Sequence, residues 1–263
     1  MSDAKRRRLE EAVATVQQRH GAQSLRQGGE FARSPSIPHI STGFAALDAM
    51  TGCHGVPLAA VSLLSGRTTS GKLTVAYKLL ANAQRDLYGN VAYPVGLIDL
   101  SRTADPDYLA RCGIHLDALL VARPQIGPQT IQMVGDLLQT RRLRAVVVDS
   151  LADLATDRSA LRQLNAVLGK LQQILRAVGS TLILIDDPRP PWLRWLNLDP
   201  SNQVRWCAAL HIEMQREQWL RQGNAVVGYR AQARLLKSRW VYGLRSAPVE
   251  IVFNGTVQAR ETW

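Results

Sequence analysis

The sequence predicts an α/β fold: a mainly parallel, twisted sheet flanked by helices, with antiparallel strands at one edge and a short helix in front. Three observations predict it. A glycine-containing loop, Gly66-Arg67-Thr68-Thr69-Ser70-Gly71-Lys72, lies between a strand pattern and a helix pattern. Short apolar runs alternate with longer helical periods through the middle of the chain, as crossover helices between parallel strands require. One of those runs, Val146-Val147-Val148, ends in the carboxylate of Asp149.

The elements follow in order. From Lys5 to about Arg19, Leu9, Ala12, Val13 and Val16 fall on one side of a helix and Arg6, Glu10 and Gln17 on the other. The polar stretch Gly21 to Pro38 reads as a linker, so residues 1–38 form a helix with its linker and residues 39–263 the main core. A lone helix of that length is marginal in water and must pack on its own core or on a neighbouring subunit. Ala60 to Leu64 is the first core strand, followed by the glycine loop and a helix from Lys72 to Leu87. Strands follow at Val95 to Asp99, Leu119 to Ala122, Ala145 to Asp149 and Thr181 to Ile185, with helices at Ile131 to Thr140 and Ser159 to Val178. Ala208 to Arg216, Ala231 to Lys237 and Val249 to Phe253 read as antiparallel strands at the sheet edge.

Composition narrows the function. The chain has 263 residues, 46% of them hydrophobic, enough for one sizeable core. No apolar run approaches the ~18 residues of a membrane helix, and the charged start, Lys5-Arg6-Arg7-Arg8, cannot form a signal peptide. A cytoplasmic protein without membrane contact is expected. Cys53, Cys112 and Cys207 have neither zinc-site spacing nor the even count of a disulfide framework. His54 has no further ligands at a usable spacing and reads as a loop histidine. The net charge of +11 comes mostly from arginine, which suits phosphate forks and base stacking, so nucleic acid is the leading partner.

The pattern Gly66-x-x-x-x-Gly71-Lys72, after a strand and opening a helix, is a phosphate-binding loop. Its N–H groups point at phosphate oxygens and the Lys72 ammonium reaches the outer phosphates. The next position should carry a hydroxyl for Mg²⁺, but it is Leu73, and Thr74 is turned ~100° further round the helix. Asp149 ends its apolar strand as a Walker B carboxylate does, where it would hold Mg²⁺ through water.

These elements resemble the bacterial RecA recombinase family. The resemblance runs through Arg8 to Glu30, Ile40-Ser41-Thr42-Gly43 with Leu47-Asp48, Asp105-Pro106-Asp107-Tyr108, Val148-Asp149-Ser150 and Lys237-Ser238-Arg239. It implies a RecA-like P-loop NTPase core, an N-terminal oligomerisation helix and a filament or other homo-oligomer. It implies ATP, or ADP, as ligand, with Tyr108 stacking on the adenine and Lys237 and Arg239 reaching a neighbour's nucleotide. The family's C-terminal lobe is expected to be absent, since the chain stops soon after Phe253. Ser101 stands where the family has the glutamate that activates water, and Asp187 where it has the glutamine that senses the terminal phosphate. With Leu73, these departures imply weakened or lost ATP hydrolysis.

After Asp187 comes a segment rich in arginine and tryptophan: Arg189, Trp192, Arg194, Trp195, then Arg205 and Trp206. That composition suits single-stranded DNA, with arginine on phosphate and tryptophan on bases. It also suits a protein interface. Asp186 with Asp187 is a weaker candidate for a metal pair, and Trp219 reads as a packing or interface residue. The favoured expectation is a nucleotide- and single-stranded-DNA-binding protein of recombinational repair or damage tolerance with impaired catalysis. One alternative is an active DNA-dependent ATPase, with Thr74, Asp149 and either Asp99 or Asp187 in the lost roles. Another is an accessory protein similar to ImuA-type subunits of translesion mutasomes, binding a repair polymerase or RecA.

Overall fold

A computed structural model describes residues 3–21, 37–125, 127–187 and 202–253. The chain divides into two compact units, residues 1–37 and 38–263. The first carries helix α1 (Asp3–His20).

The second unit is built on eight strands: β3 (Val61–Gly66), β4 (Val95–Asp99), β5 (Leu119–Ala122), β6 (Ala145–Asp149), β7 (Thr181–Asp186), β8 (Leu210–Gln222), β9 (Ala225–Ser238) and β10 (Arg245–Val252). Their order across the sheet is β10-β9-β8-β3-β7-β6-β4-β5. A separate antiparallel pair, β1 (His39–Ile40) with β2 (Val56–Pro57), lies outside it. Every residue of β3, β4, β6 and β7 is buried. That explains why they read as continuous apolar runs rather than alternating ones: helices cover both faces of a parallel sheet.

On one face, Leu63, Val146, Val148, Leu182 and Leu184 pack against α5 (Gly127–Gln139) and α7 (Arg158–Val178). On the other, Leu64, Leu97, Val147, Ile183 and Ile185 pack against α2 (Ala45–Thr51) and α3 (Lys72–Ala83). Asp157 caps α7 by accepting from the Ser159 and Ala160 N–H groups, and Gly179, at φ 72°, ends it. Short helices α4 (Pro106–Arg111), α6 (Leu151–Leu154) and α8 (Asn202–Cys207) sit in the connections, none of them expected from the sequence pattern.

The edge differs from the expectation in two ways. β8 runs parallel to β3, and antiparallel pairing begins only between β8 and β9 and continues to β10. β8 follows β7 after 23 residues, enough for a parallel entry, and only the short β8–β9 turn reverses direction. β8 and β9 also extend well beyond the apolar positions into one long hairpin joined by Gly223-Asn224, with Gly223 at φ 59°. The two-residue Gly-Asn turn was legible in the sequence. The polar run Gln215 to Gln222 hid the strand because its far end is largely exposed.

Gly228 marks the closest approach of β9 to β10: a Cβ there would lie 2.2 Å from the Ile251 carbonyl oxygen. Gly228→Ala should therefore cost about 1–3 kcal/mol in chemical denaturation, as overpacking against backbone does. Unchanged stability would show that β10 yields freely at this point.

Candidate nucleotide-binding site

The loop between β3 and α3 has the backbone that a phosphate cradle needs. Gly66 packs so tightly that a Cβ would lie 2.4 Å from the Met214 carbonyl oxygen, and Gly71, at φ 94°, turns the chain into α3. Thr69 takes φ 65°. Positive φ is easy for glycine and uncommon for threonine, so the loop is shaped by its surroundings as well as by its glycines. The Ser70 hydroxyl is buried without a hydrogen-bond partner. It lines a cavity of about 480 Å³ together with Thr68, Thr69, Gly71, Lys72 and Leu73.

Lys72 has an 8% exposed side chain. Its Nζ donates to the Gly66 carbonyl at 2.7 Å and to the Asp187 carboxylate. Strand order explains the second partner: β7 lies between β3 and β6, so the residue just past β7 reaches Lys72 before any residue of β6 can. Asp187, at the position where the family resemblance implies a phosphate-sensing glutamine, thus occupies the loop lysine. Asp186 turns to the other face of the sheet, where it is fully buried and accepts from Arg205 Nη2 at 3.3 Å. The two carboxylates are thus held apart by different cations. Among the described residues no group of three or more His, Cys, Asp or Glu forms a metal cluster.

Asp149 ends β6 and is buried; its carboxylate accepts from the Ser101 hydroxyl at 2.9 Å. Burial raises its carboxyl above the ordinary range, against the lowering effect of the Ser101 hydrogen bond and the Lys72 charge. Asp99, beside it on β4, accepts from Arg123 Nε at 2.9 Å and from the Thr103 N–H at 3.0 Å. It does not line the cavity. Thr74 Oγ1 lies 2.6 Å from the Tyr108 hydroxyl, so its oxygen is engaged with a residue of α4 rather than taking the place left by Leu73. Leu73 lines the cavity and packs on the core.

Tyr108 lines the same cavity, packed edge-on to Tyr77 at 6.0 Å between centroids. The sequence reading missed its company. Trp219, Tyr229 and Phe253 line the cavity too, with Tyr229 5.8 Å from each of the other two rings. Trp219 and Tyr229 face each other across the β8–β9 hairpin. The hairpin register was the signal that could have revealed this, since directly opposed residues share a face. Arg216 stacks 4.4 Å over Trp219 and donates to Thr69 Oγ1 at 2.8 Å, tying hairpin to loop.

The remaining candidates lie elsewhere. Arg189, Trp192, Arg194 and Trp195 fall outside the described residues. Arg205 is turned inward to Asp186, whereas Trp206 beside it on α8 is 77% exposed. Lys237 Nζ donates to the carbonyls of Arg205 at 2.9 Å and Trp206 at 2.6 Å. Those carbonyls belong to the last turn of α8, where a cation is favoured. Arg239 follows β9, with its N–H donating to the Ala209 carbonyl at 3.2 Å. His54 sits in a loop at φ 60°.

The lining fits phosphate: a glycine-shaped loop at a helix N-terminus, one buried ammonium and one unpartnered buried hydroxyl. It fits Mg²⁺ less well, since Leu73 offers no oxygen and the Thr74 oxygen is engaged. Asp149, at the end of β6, is the carboxylate that would hold such an ion through water. Its raised carboxyl has a consequence for stability. A folded-state value above the unfolded one makes stability fall as pH rises from about 4 through the raised value, and the loss persists at neutrality. Asp149→Asn should therefore raise Tm relative to the parent at pH 7, with the difference shrinking below about pH 4. An equal shift at both pH values would place its cause outside the ionisation.

Comparison with known proteins agrees with this architecture. The family model described as RecA N-terminal domain matches residues 7–189. Protein RecA of Acidothermus cellulolyticus is 28% identical over 94% of this chain and 74% of its own length. Protein RecA of Pseudarthrobacter chlorophenolicus is 31% identical over 93% of this chain and 72% of its own. Protein RecA of Methylococcus capsulatus is 27% identical over 96% and 76%. A P-loop on a parallel sheet, an aspartate at the end of β6 and a family match spanning most of the chain together show that this protein belongs to the RecA family.

Proposed function

We propose that this RecA-family chain binds a nucleotide at Gly66 to Thr74, with Tyr108 against the base, and binds single-stranded DNA in recombinational repair or damage tolerance. It hydrolyses ATP slowly or not at all. One observation carries the catalytic part: the carboxylates that line the cavity, and Asp99 beside Asp149, are each already engaged. Asp149 accepts from Ser101, Asp153 from the Ser150 hydroxyl, Asp187 from Lys72 and Asp99 from Arg123. A general base needs a lone pair directed at the attacking water, and Ser101, at the position implied for that base, has no basic group at neutral pH.

The DNA-binding part rests on the net charge of +11 and on the arginine and tryptophan residues from 189 to 206. The names of the relatives, each Protein RecA, support the same direction. Self-association through α1 and through Lys237 and Arg239 belongs to this reading. Lys237 would then have to leave the α8 carbonyls to reach a neighbour's nucleotide. No helix among the described residues is long and apolar enough to cross a membrane.

Hydrolysis of ATP by the full chain, with and without single-stranded DNA, tests the catalytic claim. Turnover well below ~1 s⁻¹ is expected, with a gain in the Leu73→Thr, Ser101→Glu double variant. DNA-stimulated turnover of about 1 s⁻¹ or more in the unaltered chain would make it a working ATPase. DNA affinity should fall steeply with salt, and Trp192→Ala or Trp195→Ala should weaken it by about 1–3 kcal/mol each. Intact DNA binding in these variants, with loss of binding to a repair polymerase or RecA, would favour the accessory role.

A further inference from the structure

The cavity beside the loop has an unusual charge balance for a site that takes a triphosphate. Among the described residues, Lys72 is the only lysine or arginine lining it, and it shares the lining with Asp149, Asp153 and Asp187. Arg67 and Arg216 line the neighbouring cleft along Gly66 to Ser70, and Arg123 and Arg205 pair with Asp99 and Asp186. The lysine that should meet the outermost phosphates is shared between the Gly66 carbonyl and the Asp187 carboxylate.

We propose that Asp187 makes this site select a nucleoside diphosphate over the corresponding triphosphate. The inference rests on the reading that the loop from Gly66 to Lys72 binds nucleotide phosphates. The inner phosphates of either nucleotide meet the loop N–H groups and the Ser70 hydroxyl, none of which depends on Asp187. A diphosphate can therefore seat while the Lys72–Asp187 pair stays formed. A terminal phosphate arrives beside that pair, brings further negative charge to within a few ångströms of Asp187, and must draw Lys72 away from it. The Asp187 side chain is 37% exposed, so water screens it and it can turn outward. The result is discrimination, not exclusion. A loss of about tenfold in triphosphate affinity is the scale expected for one like charge at a partly solvated site.

Calorimetric titration of the full chain with ADP and with ATP, each in EDTA and in Mg²⁺, tests the inference. The parent should bind ADP at least about tenfold more tightly than ATP in EDTA. Asp187→Asn, which keeps the shape, and Asp187→Gln, one methylene longer, both remove the charge and should bring the two affinities to within about threefold, through tighter ATP binding. Two variants guard against one failing to fold. A parent that binds ATP as tightly as ADP, or a ratio left unchanged by both variants, would overturn the inference. So would loss of Mg²⁺-dependent ATP affinity in the variants, which would make Asp187 a metal ligand. Lys72→Ala, which removes the cation for the outer phosphates and leaves Asp187 unpaired, should weaken ATP binding more than ADP binding, and an equal loss for both would count against the inference. If neither nucleotide binds the parent or the Asp187 variants, the nucleotide reading itself fails and carries the inference with it; a failed ratio alone leaves that reading standing.

Discussion

The buried ammonium of Lys72 is the charge around which the carboxyl end of the sheet is arranged. A cation with so little exposure must be met by oxygen atoms, and β3 and β7 supply them from the Gly66 carbonyl and the Asp187 carboxylate. The loop can hold this geometry because it is fixed on both sides. Gly66 packs against the β8 backbone at Met214, and Gly71 packs beneath Ile251 and Tyr229 of β10 and β9. The antiparallel edge thus does more than close the sheet: it forms the floor under the phosphate loop.

The same sheet separates two chemistries by face. On the face of Lys72 lie the loop, α3, Tyr108 and the aromatic trio Trp219, Tyr229 and Phe253. On the other, polar side chains tie β7, β3, β8 and β9 to α8. Asp186 pairs with Arg205, the Ser65 hydroxyl lies 2.8 Å from His211 Nε2, and Lys237 holds the carbonyls at the end of α8. Asp186, the last residue of β7, and Asp187, just past it, therefore face in opposite directions, Asp186 toward α8 and Asp187 toward the loop.

Family membership and residue chemistry bear on different questions. The match over residues 7–189 shows the fold and lineage. It does not restore a hydroxyl at Leu73, a glutamate at Ser101 or an amide at Asp187. A fold hosts chemistry only through the side chains placed at its site, and the proposed loss of hydrolysis rests on the side chains at Leu73, Ser101 and Asp187.

The sequence by itself determined the parallel core. The boundaries of β4, β5 and β6 coincide with the apolar runs, and the glycine loop falls between β3 and α3. These features are local: a buried strand, a turn needing glycine and an amphipathic helix each write their requirements into neighbouring residues. The polar stretch of β8, the short helices and the parallel entry of β8 were not legible, because they depend on where a segment lands rather than on its own period. Only the tertiary structure decided that Asp187 meets Lys72, 115 residues away, and that Asp149 meets Ser101 instead. It also decided that Trp219, Tyr229 and Phe253 share a cavity with Tyr108. Strand order and hairpin register set those encounters, and both arise from pairing between distant parts of the chain, which no local pattern encodes.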